Sequence, residues 1–155
     1  MRGYHGQEED TRDAVTEDGW LRTGDLGHLD EDGFLFITDR AKDMIIRGGE
    51  NVYCVEVEQA LFEHPDVVDA AVVGVPHKVL GEEVKAVVQL KPDSTASVED
   101  LRTYCSERLA NFKVPEYVEM RDESLPRNPA GKVLKNLLRG DETSFSAEPT
   151  DDSAL

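Results

Sequence analysis

Val67-Val-Asp-Ala-Ala-Val-Val-Gly-Val75 is a nearly continuous run of β-branched and small apolar residues, and it decides the fold. A run this short and this β-branched reads as a buried strand. Working outward, Val84 to Leu90 is a second strand, and Lys91-Pro92-Asp93-Ser94 turns the chain after it. Upstream, Val57, Ala60, Leu61 and Phe62 fall on one helical face of Val55 to Glu63, a helix that His64-Pro65 stops. Met44-Ile45-Ile46 is a short apolar strand that runs into Gly48-Gly49, where no regular element should continue. Downstream, Ser97 and Asp100 have the spacing of a capping box. They open a helix through Leu109 with Val98, Leu101, Cys105 and Leu109 on its inner face. Tyr117 to Arg121 is a last strand.

The order strand, helix, strand, strand, helix, strand predicts an α+β fold: a small split βαβ sandwich of the ferredoxin-like kind. Ahead of it, His28-Leu29 and Phe34-Leu35-Phe36-Ile37 flank Asp30-Glu31-Asp32-Gly33, which predicts a β-hairpin turning on a positive-φ glycine. Residues 1–19 are acidic and weakly periodic, so they read as a loop or a short surface helix around Glu8 to Val15. Residues 141–155 hold five acids and no Lys or Arg, the composition of a disordered acidic tail.

The 155 residues carry 17 basic and 33 acidic side chains, a formal charge of -16. Nucleic-acid binding is excluded on that balance, because phosphate neutralisation needs a basic face. Cys54 and Cys105 lack metal-ligand spacing and read as reduced, structural residues, so no metal site is expected. The polar start at Met1-Arg2-Gly3-Tyr4-His5 leads us to expect no signal peptide, and no apolar run approaches the ~18 residues a membrane span needs. These features predict a cytoplasmic protein without a transmembrane segment.

Three polar, glycine-bearing segments carry the candidate chemistry. In Leu125-Pro-Arg-Asn-Pro-Ala-Gly-Lys132-Val133-Leu134-Lys135, a loop hands Lys132 to a short apolar-basic helix. A lysine there is a movable point charge able to reach a phosphate or carboxylate. The alternative is a solvated lysine beside Lys135 and Arg139. A phosphate-cradling P-loop does not fit, because Val133 follows the lysine where Ser or Thr is required. Asp25, in a tight turn after Gly24, suits two hydrogen bonds from vicinal hydroxyls such as a ribose presents. Arg40 offers a fork of donors just past the hairpin. The alternative for these two is a plain surface ion pair. Gly48-Gly49-Glu50-Asn51 would let a thin ligand approach the backbone, or is a simple strand-to-helix turn. No histidine pairs with a nucleophile motif, so a hydrolytic triad is unsupported.

Together, Gly19-Trp-Leu-Arg-Thr-Gly-Asp25, Asp39-Arg-Ala-Lys-Asp-Met-Ile-Ile-Arg-Gly-Gly-Glu-Asn-Val-Tyr53 and Pro126-Arg-Asn-Pro-Ala-Gly-Lys132 resemble the C-terminal part of the adenylate-forming superfamily. The likeness covers about residues 1–140 and is closest to the fatty-acyl-CoA and related acyl-CoA synthetases. It implies a ligase that joins a carboxylic (fatty) acid to coenzyme A through acyl-AMP, with ATP consumed, AMP and pyrophosphate released, and Mg2+ accompanying ATP. It further implies that Lys132 is the adenylation lysine and that Asp25 and Arg40 bind the nucleotide. Lys42 would be the hinge, and Gly48, Gly49 and Glu50 would line the coenzyme A tunnel. The family's large N-terminal AMP-binding domain, which would hold most of the ATP and Mg2+ site, has no counterpart in the composition. The expected organisation is therefore 1–39 as the tail end of that domain, 40–140 as the C-terminal lid and 141–155 as tail. Met1 would then be an internal methionine, and the chain alone inactive. Alternatives are a stand-alone, non-catalytic module binding coenzyme A or acyl groups, or the lid of a peptide-synthetase adenylation domain.

Overall fold

The computed structural model describes residues 2–140, which form two compact units divided between Met44 and Ile45. The predicted acidic tail lies outside the described residues. The N-terminal unit holds α1 (Glu8–Ala14) and an antiparallel hairpin of β1 (Asp25–Leu29) and β2 (Leu35–Arg40). The hairpin closes as the sequence implies: the Asp30 carboxylate accepts the amides of Asp32 (3.0 Å) and Phe34 (2.8 Å). Gly33 takes a φ of +84°. Leu29, Phe34, Leu35 and Ile37 stay exposed, which leaves an isolated two-stranded sheet with little burial of its own.

The C-terminal unit comprises β3 (Ile45–Arg47), β4 (Glu50–Val52), α2 (Cys54–Phe62), β5 (Val67–His77), β6 (Gly81–Leu90), α3 (Val98–Ser106), β7 (Tyr117–Arg121) and α4 (Lys135–Arg139). The α+β class and the predicted alternation of strands and helices are present, with the Ser97–Asp100 capping box formed in both directions. The strands join in one sheet, β4-β3-β6-β5, and β7 lies parallel to β6 from Lys85↔Tyr117 to Gln89↔Arg121. β6, α3 and β7 therefore make a βαβ unit whose two strands are direct neighbours.

One expectation is corrected: a regular element does continue past Gly48-Gly49. The chain reverses there and returns as β4, with Arg47 opposite Glu50. Two glycines between short strands can both take positive φ, which is what a two-residue hairpin turn demands.

Alternation along β5 and β6 builds a core on both faces of the sheet. Ala70, Val72, Val84, Ala86 and Val88 pack with Val57 and Leu61 of α2 and Leu101 and Cys105 of α3. Ala71, Val73 and Val87 pack with Leu125 and Leu138, assisted by Val75 and Val133. The segment that bears Lys132 is thus the cover of the sheet's second face. Cys54 and Cys105 are buried and not joined in a disulfide, and burial pushes the Cys105 thiol up to about 11. Among the described residues no helix is long and apolar enough to cross a membrane.

Candidate functional site

Lys132 sits on a loop whose backbone is heavily cross-tied. The Leu134 amide donates to the Pro126 carbonyl (2.8 Å) and the Asn128 amide to the Lys132 carbonyl (2.9 Å). The Asn128 side-chain oxygen accepts the amides of Ala130 (3.1 Å) and Lys132 (2.9 Å). Gly131, at a φ of +81°, makes the reversal possible. Arg127 donates to the Gly131 carbonyl (2.7 Å) and to the Asp69 carboxylate of β5 (2.5 Å), fastening the loop to the sheet. Buried Leu125 and Leu138 fix its two ends.

Lys132 itself is exposed, and among the described residues no ion pair engages its ammonium. Lys135 differs: it pairs at 2.7 Å with Glu58, whose carboxylate also accepts the Val72 amide. Because α4 begins only at Lys135, Lys132 belongs to the loop, not to a basic helix face. Lys135 serves the fold, whereas Lys132 is a cation on a stiff mount.

Asp25 and Arg40 are brought together as the surface ion pair that the sequence left open. Asp25 opens β1 and Arg40 closes β2, so they are register partners at the open end of the hairpin. The Arg40 Nε lies 3.3 Å from Asp25 Oδ1, with both side chains still partly exposed. A pair so placed adds little stability and keeps lone pairs and donors available. Lys42 is exposed in the turn after β2, where the amides of Asp43 and Met44 return to the Arg40 carbonyl (3.0 and 3.1 Å). The two units divide just beyond it.

Gly48 and Gly49 form the β3–β4 turn with φ of +58° and +91°. The Gly48 amide donates to the Leu80 carbonyl at 2.8 Å. A methyl on Gly49 would meet nothing within 4 Å, so the turn presents bare backbone to open space, with Glu50 exposed beside it. Asp25, Arg40 and Lys42 thus belong to the N-terminal unit, and Gly48, Gly49, Glu50 and Lys132 to the C-terminal one.

Sequence reasoning passed over the residues that hold these loops. Asp69, a charge inside the apolar run, is the visible signal for the Arg127 anchor. Glu83, buried on β6, is a second one: it receives the Arg47 guanidinium beside the glycine turn. Burial alone would raise the Glu83 carboxyl. The hydrogen bonds from Arg47 and the Val84 amide, with the charges of Arg47 and His77, outweigh it and hold the carboxyl below its ordinary range. A depressed folded value means that its contribution is present above the ordinary glutamate value of about 4.3 and fades as pH falls through the folded value. Glu116, the other charge that faces Arg47, is common to both states of Glu83. We expect the Val84 amide resonance, whose N–H donates to the Glu83 carboxylate, to show a step below about 4.3 that disappears in Glu83→Gln. A Glu83-dependent step above that value would contradict this.

Residues 56–132 match the family model described as the AMP-binding enzyme C-terminal domain, and by that match the chain belongs to this family. Lys132 is the last residue matched. The chain is 52% identical over 139 residues to the 3-[(3aS,4S,7aS)-7a-methyl-1,5-dioxo-octahydro-1H-inden-4-yl]propanoyl:CoA ligase of Rhodococcus jostii (strain RHA1), covering 90% of this chain and 27% of that protein. It is 48% identical over 143 residues to a long-chain-fatty-acid–CoA ligase of Bacillus subtilis (strain 168), covering 92% and 25% respectively. The structure of ATP-bound MatB from Rhodopseudomonas palustris is similar with a TM-score of 0.83 and 42% identity, over 90% of this chain and 27% of that one. The chain therefore spans about a quarter of the length of these relatives.

Proposed function

We propose that the chain is the C-terminal portion of an AMP-forming acyl-CoA ligase and works with a large AMP-binding domain that supplies the acyl pocket and most of the ATP site. In the first half-reaction a carboxylate oxygen attacks the α-phosphorus of ATP, the bond to the bridging oxygen breaks, and pyrophosphate leaves. Lys132 places its ammonium against the carboxylate and α-phosphate oxygens, where negative charge concentrates. Asp25 accepts from the ribose hydroxyls, and Arg40 steadies the nucleotide from the same end of the hairpin. In the second half-reaction the coenzyme A sulfur, having lost its proton, attacks the acyl carbon and AMP leaves. Lys42 is the hinge between the steps, and Gly48, Gly49 and Glu50 then line the path of the pantetheine arm. In this reading 1–39 completes the large domain and 40–140 is the lid, so the isolated chain makes no product.

The observation that carries the proposal is the stiff, sheet-anchored loop that offers the Lys132 ammonium to solvent. ATP and coenzyme A are substrates here, and the acid is a fatty or related carboxylic acid. The described residues bring no three metal-ligating side chains together, and the Mg2+ that accompanies ATP belongs mainly with the large domain.

The test is a graft. This chain replaces the matching quarter of the Bacillus subtilis long-chain ligase, and the product is assayed with fatty acid, ATP and coenzyme A. We expect acyl-CoA, AMP and pyrophosphate from the graft and nothing from the 155-residue chain by itself. A graft that folds and binds ATP yet releases no pyrophosphate would refute the proposal.

A further inference from the structure

The β3–β4 hairpin that carries Gly48 and Gly49 is held to the sheet by very little ladder. β3 meets β6 at a single register pair, Arg47↔Gly81, whereas β5 and β6 pair along most of their length. Besides the Gly48 amide bond to the Leu80 carbonyl and the buried Ile45 and Val52, two consecutive carboxylates of β6 tie the hairpin down. Glu82 Oε2 accepts the Ile46 amide at 2.8 Å, a bond spanning 36 residues of sequence. Glu83 Oε1 accepts Arg47 Nε and the Val84 amide while only 3% exposed. One carboxylate thus grips the backbone of the residue before Arg47, and the other grips Arg47, directly ahead of the turn.

A third residue makes room for this grip. Gly74 of β5 has no positive φ, so its backbone does not require glycine. Space does: a methyl there would lie 2.6 Å from Glu82 Oε1 and 3.0 Å from its carboxyl carbon. The glycine keeps clear the volume that the Glu82 carboxylate fills.

We propose that Glu82 and Glu83 are positioning residues for the Gly48-Gly49 turn, with Gly74 reserving the space that Glu82 occupies. They touch no substrate; they set where the bare glycine backbone stands. The inference rests on the reading that this turn faces coenzyme A in the second half-reaction. It predicts that loosening the grip harms thioester formation and spares adenylation, whose lysine is mounted separately through Leu125, Arg127 and Leu138.

Gly74→Ala is a telling variant, because it deletes no charge: its methyl meets the flexible end of Glu82 first, and approaches the buried Ile45 Cγ1 at 3.3 Å. Glu82→Ala removes the same contact directly. Glu83→Gln keeps an acceptor for Arg47 but gives up the charge, and is the variant most exposed to misfolding. In the grafted ligase we expect Gly74→Ala and Glu82→Ala each to raise the KM for coenzyme A on the order of ten- to a hundredfold. Pyrophosphate exchange should stay within about twofold, and the double variant should lose less than the two single losses combined, since both act on the Glu82 carboxylate. In the 155-residue chain itself, the Ile46 and Gly48 amides should exchange faster in each variant, with Val72 and Val87 unaltered.

Equal losses in both half-reactions, strictly additive effects, or unchanged exchange at Ile46 would overturn the proposal. A Gly49→Val control separates it from the reading beneath it. If that variant leaves coenzyme A use untouched, the turn does not face coenzyme A and the functional link falls. The exchange data would still report whether the carboxylates hold the hairpin.

Discussion

Lys132→Ala in the grafted ligase should slow acyl-AMP formation by about 10²–10³, or roughly 3–4 kcal/mol of transition-state stabilisation, while thioester formation from supplied acyl-AMP proceeds nearly unchanged. The size follows from what one positioned charge is worth where an oxyanion develops, and the split between steps follows from the mount. The loop is tied at Pro126–Leu134, Asn128–Lys132 and Arg127–Asp69, and none of these ties uses the Lys132 side chain. Truncation at the β-carbon therefore leaves the loop intact. Lys135→Ala is the matched control: it strips a neighbouring cation but breaks the pair with Glu58, so it should cost stability more than rate. Rapid-quench measurement of each half-reaction decides the matter. Equal losses in both steps would mean that Lys132 supports the fold and does not act on the phosphate.

The sequence made the strands and helices of the C-terminal unit legible because their signals are local: β-branched runs, a proline stop at Pro65, a capping box at Ser97. It misjudged Gly48-Gly49, where a breaker signal and a turn signal are written with the same two residues. Only the partner strand, Glu50–Val52, tells them apart, and three residues are too few to show a period. The placement of Asp25 and Arg40 was half legible. Their chemistry was readable, but their meeting depends on hairpin register and on the irregularity between Leu26 and Gly27. The anchors were least legible. Arg127 finds Asp69 across 58 residues and Lys113 finds Glu56 across 57, distances over which no spacing rule speaks. Glu82 and Glu83 lie just ahead of the strand expected at Val84, and only the sheet reveals that Gly74 leaves room for one and Arg47 neutralises the other.

The mount predicts a second large effect at a residue that touches no substrate. Leu138 is 4% exposed and packs with Ala71, Val73, Val87 and Leu125 on the sheet face opposite α2 and α3. Shortening it to alanine opens a cavity, and buried Leu→Ala changes cost about 2–5 kcal/mol. The five-residue α4 has too few turns to persist without this contact, so the loss should fall on the 125–140 segment before it reaches the α2/α3 core. Hydrogen exchange on Leu138→Ala should show faster exchange at the Leu134 and Lys132 amides, with those of Val72 and Leu101 still protected. Adenylation should fall with it, because a lysine on a loosened loop spends less time within reach of the phosphate. Leu138→Met, which conserves volume, should restore most of both. Uniform exchange across the whole unit would show one cooperative body in which the second sheet face is not separable, and the loop's stiffness would then be a property of the fold at large.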